Sequence, residues 1–306
     1  MAFTSNLTGT AQIDDSIVLA YDQQFIVTVG EETAMDQFAQ YKQEIDAKSI
    51  QLTKYNRLSL ATTPLSETVD ITSEAVNDSQ ILIAPVEYGN AVTKTNLASL
   101  QSGGKIDLAI PTLVGKNMAM VKNKLAMLAL EASSNALIMN GKTEPTLAST
   151  DIITGNQLNV MYNKLARANV PTVADGMYVM VAHDDVIHDL RQDAGWINVA
   201  TYQNASMILK NEVGSYRGFK VVRNNLAFVA DQSGAGTVDT YKTAFFGANG
   251  LGLVESQAPR LTITGPFDTL GRTINIGWYG VFKYAIVDTD AVWTLMSASS
   301  VGANLV

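Results

Sequence analysis

Arg272-Thr-Ile-Asn-Ile-Gly-Trp-Tyr-Gly-Val-Phe-Lys-Tyr-Ala-Ile286 alternates along its whole length. Arg272, Ile274, Ile276, Trp278, Gly280, Phe282, Tyr284 and Ile286 fall on one face, and Thr273, Asn275, Gly277, Tyr279, Val281 and Lys283 on the other. A period of two is the mark of a strand with distinct faces. Strands average about 5–6 residues, so a run of this length is exceptional. Asp288-Thr-Asp290 then turns the chain into a second apolar run, Ala291-Val-Trp-Thr-Leu-Met296.

The helical counterpart of this strand lies in the middle of the chain. Val114, Met118, Val121, Leu125, Leu128, Ala132, Ala136 and Met139 step by three and four, with Pro111 suited to a first turn and Gly141 to a stop. The spacing predicts a helix of roughly 29 residues, about 43 Å long. Its methionines Met118, Met120, Met127 and Met139 read as core filling. Between helix and strand the pattern is compact and mixed. Thr154-Gly-Asn-Gln157 caps a helix through Leu158, Met161, Tyr162 and Leu165, and Met177–Ala182 reads as a buried strand. Asp184–Gln192 is a helix through Val186, Ile187 and Leu190. Gly218–Arg223 is a strand, and Thr243–Glu255 a strand or hairpin broken by glycines. The class is α+β.

Upstream, residues 1 to 30 read as an extended arm. Thr28-Val-Gly-Glu31 then opens a helix through Met35, Phe38, Tyr41 and Ile45. Near Ser49 the period becomes alternating, with Ile50 and Leu52 opposite Gln51, Thr53 and Tyr55. A second strand-like run, Ile81–Tyr88, is interrupted by Pro85. The stretch between them, Ser59–Ser79, is rich in Ser, Thr and acidic residues. Together these make a long hairpin with a polar tip. Since an isolated two-stranded hairpin is marginal in water, it needs something to lie on. Ile50, Leu52, Lys54, Tyr55, Arg57, Ile81, Ile83 and Tyr88 are the residues expected to meet that cover.

Composition narrows the function. Of 306 residues 47% are hydrophobic and only 16% charged, against about 25% in ordinary soluble proteins. A surface so poor in charge must be covered by neutral polar groups or by neighbours. The net charge of −8, with 21 scattered Lys and Arg, argues against tight DNA binding, which draws on neutralised phosphates. The absence of cysteine removes disulfides and thiolate metal sites and suits a reducing cytoplasm. Met1-Ala-Phe-Thr-Ser-Asn6 has the features of no secretory signal, and no stretch has the roughly 18 apolar residues of a membrane span.

Candidate chemistry is thin. Ala136-Leu-Ile-Met-Asn-Gly-Lys-Thr143 fits a relaxed phosphate-loop pattern, but Leu137, Ile138 and Met139 are expected to complete the long helix, leaving no loop to cradle a phosphate. His183 and His188 are five apart and share no helical face. Asp184 and His188 do share one, yet two groups without a third are a weak metal signal. No nucleophile elbow occurs. No catalytic residue, cofactor or metal is expected, and the protein does not read as an enzyme.

The order of elements is that of the tailed-phage capsid fold: an arm with a helix, a protruding hairpin, a spine helix, a compact mixed region, then long returning strands. That Hong Kong 97-type fold is shared with herpesvirus shells and bacterial encapsulins. In detail the chain resembles the major capsid family typified by coliphage N-four, through Val86-Glu-Tyr-Gly-Asn-Ala-Val92, Glu212-Val-Gly-Ser-Tyr-Arg-Gly-Phe-Lys-Val-Val222 and Gly277-Trp-Tyr-Gly280. The resemblance implies an N-terminal arm and helix (1–48), an extended E-loop (49–93) and a peripheral region with the spine helix (94–151). It also implies an axial region (152–246) and returning strands (247–306). It further implies self-assembly into hexamers and pentamers around DNA, with scaffolding, portal and decoration proteins as further partners. The subunit would be assembled in the bacterial cytoplasm and end in the virion. Some relatives cross-link Lys to Asn between subunits. Lys54 and Asn304 lie in suggestive regions, but no carboxylate is identified for that chemistry. An encapsulin-like compartment shell, or a tail or adaptor protein, remains the alternative.

Overall fold

The computed structural model describes residues 35–39, 41–44, 47–55, 58–173, 176–193, 195–196, 214–266 and 268–301. Two sheets and one long helix organise them. The first sheet runs in the order β1 (Tyr41–Glu44), β11 (Leu251–Thr264), β12 (Thr273–Ile286), β4 (Val86–Thr95), with β1 parallel to β11 and the other pairs antiparallel. The second contains β5 (Ala136–Ile138), β13 (Val292–Ala298), β10 (Thr240–Phe246), β6 (Tyr178–Ala182), β8 (Phe219–Arg223) and β7 (Ser215–Tyr216), in that order. β9 (Val229–Ala230) pairs with β10. A separate two-stranded hairpin joins β2 (Ile50–Tyr55) to β3 (Asp78–Ile83).

The alternating stretch forms β12 as the pattern requires. Ile276, Trp278, Phe282 and Tyr284 are buried against α2 (Lys105–Glu131), while the opposite face is only partly covered. Glycine lets its neighbour lie close. A Cβ on Gly89 would stand 2.8 Å from the Trp278 carbonyl oxygen, and one on Gly277 would stand 2.6 Å from that of Asn90. Two of the three stretches that carry the capsid resemblance, Val86–Val92 and Gly277–Gly280, are thus partners across one ladder.

The second sheet explains the unbroken apolar run of β6. All five of its residues are buried because both faces are covered. Met180 and Ala182 join a core with α3 (Gly155–Arg167) and α4 (Asp184–Gln192), whereas Val179 and Val181 point into the core built around α2. A strand covered on both faces loses the alternation that marks a half-exposed one. Thr154 and Gln157 form the expected capping box, and α4 has the expected bounds.

Three expectations need correction. The long helix starts earlier and ends earlier than its periodicity suggests. It spans Lys105–Glu131, 27 residues, with Pro111 inside it and not in its first turn. Beyond Ala132, Ser133 and Asn135 donate side-chain hydrogen bonds to the Val292 and Thr289 carbonyls. Ala136–Ile138 then pairs parallel with β13, so a sheet partner overrides helical spacing. A short helix, α1 (Asn96–Gln101), precedes it across Gly103 and Gly104, both at positive φ. Second, Met35–Gln37 is one turn of 3-10 helix and Tyr41–Glu44 is a strand, not a continuous helix through Tyr41. The arm, the capping box Thr28–Glu31 and Ile45 lie outside the described residues. Third, Thr243–Glu255 is no hairpin: β10 and β11 belong to different sheets, and the segment through Ala248 and Gly250 crosses between them.

Candidate functional site

The hairpin stands apart from both sheets. Its register pairs Ile50 with Ile83, Leu52 with Ile81 and Lys54 with Ser79 on one face, and Gln51 with Leu82 and Tyr55 with Asp78 on the other. The first face turns to the body: Ile83 is 1% exposed, and Ile50, Leu52 and Ile81 are half-buried. The second face is open, with Tyr55 at 69% and Leu82 at 67%. Leu82 went unmarked in the sequence, although alternation from Ile81 and Ile83 places it outward. Of the residues expected to meet a neighbour, Ile83 and Tyr88 are engaged within their own chain. Tyr88 sits on β4, its ring centroid 5.2 Å from that of Phe282. Arg57 lies outside the described residues.

Lys54 fixes the hairpin's footing. Its Nζ donates to Asp288 Oδ1 at 2.7 Å and Asp290 Oδ2 at 3.3 Å, in the turn that joins β12 to β13. The Asp288 hydrogen bond holds the Lys54 ammonium above its ordinary pKa. An exposed pair of this kind contributes about 0–1 kcal/mol, enough to bias where the hairpin points but not to hold the fold.

From Leu58 to Asn77 the two limbs form no strand. One clasp closes them: the Glu74 carboxylate accepts from Ser59 N at 3.0 Å and Ser59 Oγ at 2.8 Å. Residues 58–79 contain four acidic side chains, Glu67, Asp70, Glu74 and Asp78, and no Lys or Arg. They are less polar than their composition suggests. Leu58, Leu60, Leu65, Val69, Ile71 and Val76 are all exposed, Leu60 by 87%. Exposed apolar side chains gathered on one projection mark a surface made to be covered.

The remaining candidates are bound up in structure. Lys142 Nζ lies 2.6 Å from Asp151 Oδ2, and Asp151 also accepts from Asn140 Nδ2 and Ala148 N. The phosphate-loop look-alike is therefore a strand and a 3-10 turn tied down by a carboxylate. Leu137 and Ile138 are strand and not the helix expected from their spacing, because their backbone pairs with β13. His183 caps α4 by accepting from Asp185 N at 3.3 Å, His188 pairs with Gln192, and Asp184 faces Arg223 at 3.6 Å. The three do not converge. Among the described residues no group of three or more His, Cys, Asp or Glu could hold a metal ion. No helix among them is long and apolar enough to cross a membrane.

No protein-family model matches the sequence, and no curated protein matches it. Solved structures do. The capsid of Ralstonia phage GP4 superposes with a TM-score of 0.75 at 13% identity, covering 97% of this chain and 98% of that one. The capsid of cyanophage P-SCSP1u gives 0.70 at 15% identity, covering 97% of both chains. The acid-stable capsid of Helicobacter pylori bacteriophage KHP30 gives 0.69 at 12% identity, covering 96% of this chain and 99% of that one. The chain thus has the α+β fold of phage capsid proteins, the Hong Kong 97 type.

Proposed function

We propose that the chain is the major capsid protein of a tailed bacteriophage. In this reading its copies associate into hexamers and pentamers, which close an icosahedral head around double-stranded DNA. The observation that carries this reading is the likeness to phage capsids, which covers 97% of this chain in both comparisons. The low charge of the sequence and the uncovered apolar hairpin support it, because both call for neighbours. The role is structural and not enzymatic. Many copies burying modest contacts together give a stable shell from weak interfaces.

In this reading residues 49–93 are the intersubunit loop, 94–151 the peripheral part with its helix, 152–246 the axial part, and 247–306 the returning strands. The arm at 1–48 completes the subunit. Scaffolding, portal and decoration proteins are the further partners, and the subunit assembles in the host cytoplasm before residing in the virion. Kinship with the coliphage N-four group rests on Val86–Val92, Glu212–Val222 and Gly277–Gly280 alone. Expression followed by sedimentation and negative-stain microscopy tests the whole: closed shells are expected. Rings or tubes would point to a tail or adaptor, and shells filled with protein cargo to an encapsulin.

A further inference from the structure

The long helix meets the second sheet along a seam. Its partner there is the loop 224–228, which runs from β8 to β9. At one end the buried amides of Asn123 and Asn224 bond each other, and Asn224 also accepts from Leu226 N at 2.9 Å. That end carries no charge. At the other end, about 12 Å further along α2, sits Glu131. It is 7% exposed, and among the described residues its Oε1 has no hydrogen-bond partner. Acidic side chains are almost never this buried unless paired.

Two ammonium groups act on this carboxyl, and both are spent on main-chain carbonyls instead. Lys124, on α2, donates to the Leu226 carbonyl at 2.7 Å, which ties the loop to the helix. Lys242, on β10, donates to the Glu131 main-chain carbonyl at 2.8 Å. That bond satisfies one of the carbonyls a helix C-terminus leaves open. Lys242 N donates to the Phe228 carbonyl at 3.1 Å, so strand, loop and helix end are held at one point. The Phe228 N–H in turn bonds the Glu131 carboxyl. Burial pushes that carboxyl above its ordinary 4.5 more strongly than Lys124, the Phe228 N–H and Lys242 pull it down. The neutral carboxyl is thus the form the seam accommodates. Once ionised, Oε1 needs either water or an ammonium. Water requires the loop to lift, and an ammonium must shift from the carbonyl it now serves.

We infer that Glu131 is a proton-operated catch on the seam between α2 and the second sheet. Protonated, it leaves Lys124 and Lys242 on their carbonyls and the loop closed. Ionised, it loosens the half of the seam from Leu226 to Phe228. The Asn123–Asn224 pair, which does not titrate, holds the other half. Since burial keeps the proton on beyond pH 4.5, the catch is closed at low pH and opens as pH rises above that value. The inference concerns the single chain and does not depend on its role in a shell.

Hydrogen exchange of the full-length chain, read by mass spectrometry, tests it, because local opening sets the exchange rate. Each rate is divided by that of the unstructured peptide at the same pH, which removes the intrinsic pH dependence. Wild type is compared with Glu131→Gln, which keeps the shape without the charge, from about pH 4.5 to about pH 8. In wild type the peptide spanning 224–230 is expected to lose about fivefold or more in protection across that range. Glu131→Gln should stay within about twofold, and α3, away from the seam, should change in neither protein. A flat profile in wild type overturns the catch whatever the variant does. An equal loss in both proteins also overturns it, by placing the titrating group elsewhere. A loss that α3 shares does the same, since the opening would then be general unfolding.

Discussion

The indole of Trp278 donates through Nε1 to Asn117 Oδ1 at 2.9 Å, and the same oxygen accepts from Asn90 Nδ2 at 3.2 Å. One amide on the long helix thereby ties two strands of the first sheet to it. Asn117→Leu leaves the indole N–H without its partner and should cost about 1–3 kcal/mol. Trp278→Asp places a charge with no partner at a position 3% exposed and should abolish folding. Denaturant titration separates the two, with a lowered midpoint for the first and no cooperative transition for the second. Glu131, the last residue of α2, makes a different case. Burial raises the pKa of its carboxyl above 4.5, against the pull of Lys124, a hydrogen bond from the Phe228 backbone and Lys242. A carboxyl with a raised folded pKa binds protons more readily when native, so the charged form weakens the fold. Wild type should therefore gain stability relative to Glu131→Gln as pH falls from 7 toward 4.5. The gap in melting temperature between the two, followed across that window, checks it. A gap independent of pH would mean that the carboxyl titrates as it does in the unfolded chain.

At the scale of elements, what the sequence made legible depended on how many partners an element has. β12 was legible because one face is covered and the other only partly, which preserves the alternation. α3 and α4 were legible because their ends carry their own caps and one side of each is wet. The end of α2 was not, since Ala136 and Met139 keep helical spacing while their backbone is claimed by β13 and a 3-10 turn. Local spacing has no knowledge of a strand that arrives more than 150 residues later, at Val292–Ala298. What locks α2 in register is equally invisible to periodicity. Asn123 and Asn224 form a reciprocal amide pair at 3.2 and 3.0 Å, both fully buried, and Asn224 also accepts from Leu226 N. Asn123→Leu should cost about 1–3 kcal/mol by orphaning Asn224. Adding Asn224→Leu should cost less than the sum of the two single changes, because neither amide is then left unpaired. A double-mutant cycle measures the difference; strict additivity would show that the pair does not couple.

For the whole molecule, the hairpin was legible as an object but not as a surface. Serine, threonine and acidic residues hid the fact that Leu60, Leu65, Val69 and Ile71 are exposed. Burial depends on what surrounds a side chain, and in the proposed shell this projection would be surrounded by other copies. The consequence is a separation of folding from assembly. Every side chain from Leu58 to Asp78 is exposed, so the limbs contribute little to the stability of a single chain. The hairpin's hold on the body comes from Ile83 and the Lys54 ion pairs, both outside the tip. Replacing Leu60 to Asn77 with a short Gly-Ser turn should leave the thermal midpoint within about 2 °C of wild type, a shift that in a chain of this size corresponds to no more than about 1 kcal/mol. The same protein should sediment as free subunits or small oligomers under conditions where the full chain closes into particles. Calorimetry and sedimentation on one preparation decide between three outcomes. An unchanged midpoint with lost closure places the tip's work between subunits. A collapsed midpoint would mean that the limbs pack within their own chain. Normal closed particles would mean that the apolar tip is dispensable to the shell.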